Sequence, residues 1–206
     1  MQPATAAPGP AVAAPAPGAP APSAPASTAA GGVALREEEH LGKVWLAPGF
    51  DFKAYDTLLI TETRADVPRL NPDGAANLEW ARGVVQAELA AAFQDRKLFT
   101  VVTSPADVTP GSRVLRLDNT IVEYEKGGGG ARVFAGIYGA GQPVIRVRGQ
   151  ATAADRPLFV HEARRSSESG WSRVFGGYRD DKAIQQEDIK DLARDLADFV
   201  ARTKGP

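Results

Sequence analysis

The first 35 residues carry no charged side chain, and Arg36 is the first charged residue of the chain. The segment consists mostly of Ala, Pro, Gly, Ser and Thr. Such a composition buries too little apolar surface to offset the entropy of ordering, about 1–2 kcal/mol per residue. We therefore expect residues 1–38 to form a disordered, polyproline-biased tether, and residues 39–206 to form a single domain.

Charge and cysteine content exclude several classes of protein. The chain has 24 Lys and Arg residues against 25 Asp and Glu residues, a net charge of −1. No strong positive field is available to attract a nucleic acid, so we expect no nucleic-acid partner. The absence of cysteine excludes disulfides, thiolate catalysis and cysteine zinc sites. No apolar run reaches the length needed to cross a bilayer.

Hydrophobic periodicity predicts five strands and two helices behind a short lead-in segment at 40–53. The predicted order is β-α-β-β-β-β-α, which favours an α+β fold: a two-layer sandwich with a mostly antiparallel sheet of about five strands and two helices on one face. The predicted strands are 55–62, 99–103, 113–124, 144–153 and 158–165, and the predicted helices are 75–97 and 186–202.

The strand at 144–153 has the cleanest alternation. Arg146, Arg148, Gln150 and Thr152 fall on one side, which predicts an antiparallel strand with one solvated face. Residues 155–157 (Asp-Arg-Pro) predict a tight turn that makes a hairpin with the following strand. In the first helix, Gly83 lowers helix stability by about 1 kcal/mol relative to alanine, so we expect it to mark close packing.

The search for chemistry yields no catalytic constellation. The chain has two histidines, His40 and His161, and His161 lies in a predicted strand beside Glu162, whose side chain points the other way. His161 is expected to be structural or solvent-facing. No nucleophile elbow is present, and the carboxylates of the last helix alternate with Lys190 and Arg194 as on a solvated helix face. We predict no enzyme activity, no metal site and no cofactor.

The glycine-rich segment 127–141 is the most unusual local pattern. A phosphate-binding loop would need a following Lys and Ser or Thr, and it would lead into a helix; this segment has neither residue and feeds a strand. We therefore expect Gly136, Gly139 and Gly141 to be structural. A small-ligand or nucleotide site in this loop remains the alternative, and an exposed apolar loop that meets a partner is a further one.

Six residues are candidates for binding a partner. Arg146, Arg148, Arg164 and Arg165 are expected to form a basic patch across the hairpin or, alternatively, to pair across strands with Glu123, Glu125 or Glu162. Trp171 and Tyr178 lie in a loop before the final helix, where they either close a small core or form a recognition loop.

Several short strings resemble a bacterial family of predicted envelope lipoproteins, domain of unknown function 4410. They are the segments 44–51, 131–141, 163–165, 175–178 and 191–197. The resemblance implies a location in the Gram-negative envelope and a small α+β domain like those of envelope accessory lipoproteins. It implies no activity.

These points predict a non-enzymatic envelope protein, a binding or scaffolding domain on a flexible tether. The expected partner is another envelope protein or cell-wall material, and the expected location is the periplasm or outer membrane, with the cytoplasm as the alternative. The sequence contains neither a signal peptide nor an anchor cysteine. We therefore expect membrane contact only through a lipid anchor outside this chain, with Met1 at or near the anchor's position.

Overall fold

Eight strands form one mixed sheet in the part of the chain that the computed structural model describes, residues 35–68, 70, 72–126, 143–166 and 181–205. Residues 1–34 of the predicted tether, the glycine-rich loop 127–141 with Gly136, Gly139 and Gly141, and the residues Trp171 and Tyr178 lie outside the described residues. Residues 36–38, which were predicted to belong to the tether, form a strand of the sheet instead. The strands are β1 (Arg36–Glu38), β2 (Gly42–Leu46), β3 (Thr57–Ile60), β4 (Arg64–Ala65), β5 (Thr100–Val102), β6 (Val114–Glu125), β7 (Val144–Ala153) and β8 (Arg156–Ser166).

The strand order is β1-β2-β8-β7-β6-β3-β5, with β4 paired to β6 beside β3. The pairs from β1 to β6 along this order are antiparallel. The strands β3 and β5 are parallel, as are β3 and β6, and β4 and β6. The predicted α+β class is confirmed. The antiparallel part of the sheet is extended by a parallel β-α-β unit, because a helix connects β3 to β5.

Two long helices cover one face of this sheet. Helix α1 spans Pro72–Arg96 and helix α2 spans Asp181–Lys204. Proline suits the first turn of α1, where its missing N–H has no partner to lose. The ends of both helices lie within five residues of the predicted ends. Neither described helix has the length and apolar character that crossing a membrane requires.

The core lies between the helices and the inner face of the sheet. The apolar residues of α2 recur at helical spacing, and every position of this stripe is buried. Those positions are Ile189, Leu192, Ala193, Leu196 and Val200. From the sheet, alternate residues of β6, β7 and β8 enter the same hydrophobic cluster. Burial of about 25 cal/mol for each Å² of apolar surface makes this layer the main source of stability.

The hairpin turn differs from its predicted position by one residue. Ala153 pairs with Arg156, so the turn residues are Ala154 and Asp155, both with positive φ (47° and 59°). A two-residue type I′ turn requires this conformation at both positions. Proline cannot adopt it. Pro157 instead lies inside β8, next to the register shift between Ala151 and Thr152.

Two further expectations are corrected. The lead-in segment contains a strand, β2, which pairs with β8 and buries Val44. Its sequence, GKVWL, lacks the alternation of a half-buried strand, and its pairing is distant in the chain. Gly83 does not mark close packing, because a Cβ placed there would meet nothing within 4 Å.

Candidate functional site

The outer face of the sheet, opposite the helices, is the candidate interaction surface. On β7, residues 146, 148, 150 and 152 are the more exposed set, and residues 145, 147, 149 and 151 are buried. The predicted alternation of this strand is therefore confirmed. Residues paired with the exposed set share its side of the sheet. Among the described elements, none packs on this outer face.

Five charged side chains form a ladder across β6, β7 and β8 on the outer face. Glu123 contacts Arg146 at 2.6 Å and Arg164 at 3.4 Å. Glu162 contacts Arg148 at 2.8 Å and Arg146 at 3.6 Å. The charges therefore alternate as Arg164–Glu123–Arg146–Glu162–Arg148, and each carboxylate lies between two guanidinium groups. We refer to these five residues as the arginine ladder.

Two more cations extend the arginine ladder. They lie in the row of cross-strand partners that contains Arg148. Lys43 on β2 pairs with Glu162, and Glu162 pairs with Arg148. Arg148 pairs with Thr120, and Thr120 pairs with Arg64 on β4. Lys43 and Arg64 are exposed. This part of the outer face thus has five cations and two carboxylates, although the whole chain has a net charge of −1.

Arg165 does not share the surface of the other three arginines. It follows Arg164 in the same strand, so its side chain lies on the opposite face. Its guanidinium contacts the carboxylate of Asp195 on α2 at 2.6 Å and donates to the backbone carbonyl of His40. The patch of four arginines is therefore corrected to three on the outer face and one that joins β8 to α2.

A second polar site lies inside the domain, on the inner face of the sheet. Asn119, Gly149 and His161 are cross-strand partners on β6, β7 and β8. A Cβ at Gly149 would lie 2.0 Å from Nε2 of His161 and 2.6 Å from Oδ1 of Asn119. Both side chains therefore converge above a backbone position that only glycine can occupy. We call these three residues, with Thr63, the buried polar row.

Thr63 belongs to this row because of the register of β4. The next residue, Arg64, pairs with Thr120, which places Thr63 beside Asn119. Thr63 and His161 are fully buried and Asn119 is 1% exposed. Among the described residues, the Thr63 hydroxyl, both amide atoms of Asn119 and both ring nitrogens of His161 have no hydrogen-bond partner. Buried polar atoms are nearly always paired, so this set is unusual.

His161 is buried rather than solvent-facing. Its ring stacks on that of Phe159 with centroids 5.7 Å apart. Burial lowers the pKa of His161 from 6.5 to about 4, and the nearby Glu162 carboxylate opposes this shift only partly. The imidazole is therefore neutral at pH 7, with one donor and one acceptor nitrogen.

A cleft of about 490 Å³ lies at the end of α2, beside β5. The ammonium of Lys204 donates there to the carbonyl oxygens of Leu98 (2.5 Å) and Tyr55 (3.4 Å), and it lies 3.9 Å from the centroid of the Phe99 ring. Burial lowers the pKa of Lys204. These contacts attach the end of α2 to the edge of the sheet. They therefore give Lys204 a structural role.

Sequence reasoning found the three outer arginines and Glu123 and Glu162, but it missed Lys43, Arg64 and the buried polar row. Within the described ranges, no group of three or more His, Cys, Asp or Glu side chains is placed to hold a metal ion. Asn119 occupies an inward position in the alternation Leu115, Leu117, Asn119, Ile121. A polar residue at an inward position can be recognised from the sequence. Its pairing with Gly149 and His161 cannot.

No family model matches the chain, and no curated protein matches it. The resemblance to domain of unknown function 4410 is therefore not confirmed. Among solved structures, the PelC dodecamer from Paraburkholderia phytofirmans is similar at 15% identity, with a TM-score of 0.47 over 74% of this chain and 97% of that chain. These values assign no function to this chain.

Two other solved structures show weaker likeness. A Xanthomonas campestris protein of domain-of-unknown-function family 330 has 13% identity and a TM-score of 0.42, over 77% of this chain and 90% of that chain. A homolog of a neuraminyllactose-binding hemagglutinin from Helicobacter pylori has 10% identity and a TM-score of 0.35, over 73% of this chain and 85% of that chain. All three similar structures are from bacteria.

Proposed function

We propose that this chain is a non-enzymatic binding domain of the bacterial envelope, and that the arginine ladder is its contact surface for another envelope protein. The observation that carries the proposal is the ladder itself: five charged side chains, paired at 2.6–3.6 Å, on an outer face that no described element covers. The uncharged tail and the resemblance to envelope lipoproteins support the location.

The chemistry of the ladder favours an acidic partner. Its three guanidinium groups have five N–H donors each, whereas Glu123 and Glu162 together offer four carboxylate oxygens. Donors therefore exceed acceptors on the surface, and Lys43 and Arg64 add further positive charge. Arginine is also the residue best suited to paired, planar contact with carboxylates.

Two features favour a protein over a uniformly charged polymer. The carboxylates of Glu123 and Glu162 would repel a continuous row of negative groups, whereas a protein surface can oppose them with its own cations. The strands and the existing ion pairs also hold the arginines in place, so less side-chain entropy is lost when a partner binds. A folded surface with acidic residues at matching spacing fits both features.

Site-specific photo-crosslinking in the native host tests this function. A photoreactive residue would replace Gln150, which is exposed on the outer face, or Gln186, which is exposed on α2. We expect one major protein adduct from position 150 and none from position 186. The adduct should disappear with Arg148→Glu and persist with Arg194→Glu, a matched reversal on α2. Equal adducts from both positions, or none, would overturn the proposal.

The envelope location has a separate test. The protein would be isolated from fractionated cells of the native host, and its mature N-terminus determined by mass spectrometry. An acylated cysteine upstream of Gln2, found in the membrane fraction, would support the proposed location. An unmodified N-terminus in the cytosolic fraction would contradict it.

A further inference from the structure

We propose that three apolar side chains beside the arginine ladder, those of Leu35, Trp45 and Val160, are the anchor of the same contact surface, with Trp45 at its centre. We call these residues the apolar row. The inference rests on the proposed function, because it describes how the acidic partner of the ladder is held. The partner that fits is a folded protein surface on which an apolar side chain lies near carboxylates.

Strand register places Trp45 and Val160 on the outer face of the sheet. The two residues are direct partners on β2 and β8. Val160 lies two positions before Glu162 in β8, and Glu162 belongs to the arginine ladder. Since alternate residues of a strand share a face, the side chains of Trp45 and Val160 point to the same side as the ladder.

Leu35 continues the apolar row toward the edge of the sheet. Arg36 pairs with Val44, and its guanidinium lies 5.9 Å from the centroid of the Phe199 ring on α2. The side chain of Arg36 is therefore on the inner face. Leu35, one residue earlier, points to the outer face in register with Trp45.

The core does not use these three side chains. They belong neither to the hydrophobic cluster nor to the half-buried apolar residues that pack against it. Leu35 is 39% exposed, and within the described ranges it is the one large apolar side chain that is exposed. Trp45 and Val160 are partly exposed. Single exposed apolar residues are common, whereas a contiguous apolar patch marks an interaction site.

The position of the apolar row beside the ladder indicates what covers it. At a strand spacing of about 5 Å, Trp45 on β2 lies about 10 Å across the sheet from Arg148 on β7, and about 7 Å from it along the strands. Lys43, next to the row, has Glu37 as its partner on β1, so charges of both signs border the row. The surface is therefore apolar toward β1 and basic toward β4 and β6. An acidic partner fits it in one orientation, with carboxylates on the arginines and an apolar side chain on Trp45.

Trp45 has the properties of an interface anchor. Tryptophan and arginine are the residues whose truncation weakens protein interfaces most, and such residues lie near the centre of a contact, among neighbours that exclude water. Leu35 and Val160 flank Trp45 on its two sides. The indole has only two rotatable bonds, so a partner loses little side-chain entropy in ordering it.

Photo-crosslinking from position 150 tests the anchor with variants that leave the ladder intact. Trp45→Thr removes the indole, and Val160→Thr exchanges a methyl group for a hydroxyl while keeping a β-branched residue in the strand. We expect both variants to lower the yield of the protein adduct, Trp45→Thr by about tenfold or more, and Trp45→Phe to restore part of it. Val114→Thr makes the same exchange at the far end of the outer face and should leave the yield unchanged.

The outcomes separate the apolar row from the ladder. An adduct that is lost in Arg148→Glu but unchanged in Trp45→Thr and Val160→Thr would overturn the anchor and leave the proposed function standing. The absence of any adduct in the wild type would overturn both. An adduct with the mass of two copies of this chain, or a crosslink to residues 1–34 of the same chain, would also overturn the proposal, because the row would then have a different occupant.

Ionic strength supplies a readout that a purely structural role of Trp45 would not give. In isolated envelope fractions the wild-type adduct should decrease as salt is added, because exposed charges are screened. Trp45→Thr should lower the yield by the same factor at every ionic strength, whereas Arg148→Glu should also flatten the salt dependence. A flattened salt dependence in Trp45→Thr would mean that Trp45 only positions the ladder, and would overturn its role as an apolar anchor.

Discussion

Arg165 on β8 and Asp195 on α2 form an ion pair at 2.6 Å that joins the sheet to the helix layer. The same guanidinium donates to the carbonyl of His40, in the turn between β1 and β2. One side chain therefore connects three parts of the fold. Its neighbour in the sequence, Arg164, lies on the outer face and is 47% exposed, against 19% for Arg165.

Arg165→Ala should lower the free energy of unfolding by about 2 kcal/mol, because it removes charged hydrogen bonds from a partly buried position. Arg164→Ala should change it by about 0.5 kcal/mol or less, since exposed ion pairs contribute little. Urea unfolding of both variants measures the difference. Equal effects would mean that the contact of Arg165 with α2 does not stabilise the domain.

Gly149→Ala should destabilise the domain by about 1–3 kcal/mol, because the added methyl group overlaps the ring of His161 and the amide of Asn119. Gly83→Ala is the matched control. Position 83 is exposed in a helix, where the methyl group meets nothing, so this change should stabilise by about 0.5–1 kcal/mol. Thermal unfolding of the two variants should give shifts of opposite sign.

The origin of the Gly149 effect is checked in a second background. His161→Ala removes the ring that a Cβ at position 149 would approach most closely. Gly149→Ala should therefore cost less in the His161→Ala protein than in the wild type, with the remaining cost due to Asn119. A cost that is the same in both backgrounds would place the strain in the backbone of β7 instead.

Local patterns predicted the elements whose burial repeats regularly along the chain. The strand at 144–153 was predicted at its observed bounds because one of its faces is buried and the other solvated. Helix α2 was predicted because its apolar residues recur at helical spacing and face the core. In contrast, β2 is stabilised by its pairing with β8, more than 100 residues away, and its own sequence shows no alternation.

The candidate sites show the same difference between features that local sequence specifies and features that depend on pairing of distant strands. The separation of Arg164 from Arg165 follows from strand geometry alone, since adjacent residues point to opposite faces. The meeting of Asn119 with His161 depends on the register of three strands across Gly149, which no local pattern specifies. Long-range register therefore decides which polar residues form a site.

Acid should destabilise the domain through His161. The folded protein holds the pKa of this residue at about 4, below its ordinary value of 6.5. As the pH falls below 6.5, the unfolded chain binds a proton that the folded protein does not, so stability decreases until the pH reaches about 4. The contribution of His161 should be a loss of about 2 kcal/mol between pH 7 and about pH 5.

Urea unfolding across this pH range checks the assignment to His161. His161→Phe should remove this part of the pH dependence. His40→Gln changes an exposed histidine in the turn before β2 and should leave it in place. If both variants kept the wild-type slope, carboxylates elsewhere would account for the acid sensitivity.

Lys204 should hold the last turn of α2 on the sheet. Its ammonium bonds the carbonyl oxygens of Leu98 and Tyr55 and lies over the Phe99 ring. Lys204→Met keeps most of the apolar stem and removes the charge, so it should cost about 1–2 kcal/mol of the free energy of unfolding. It should also speed amide hydrogen exchange in the last turn of the helix. Lys190→Met, on the exposed side of the same helix, should do neither; if it did, the loss would reflect helix charge rather than these contacts.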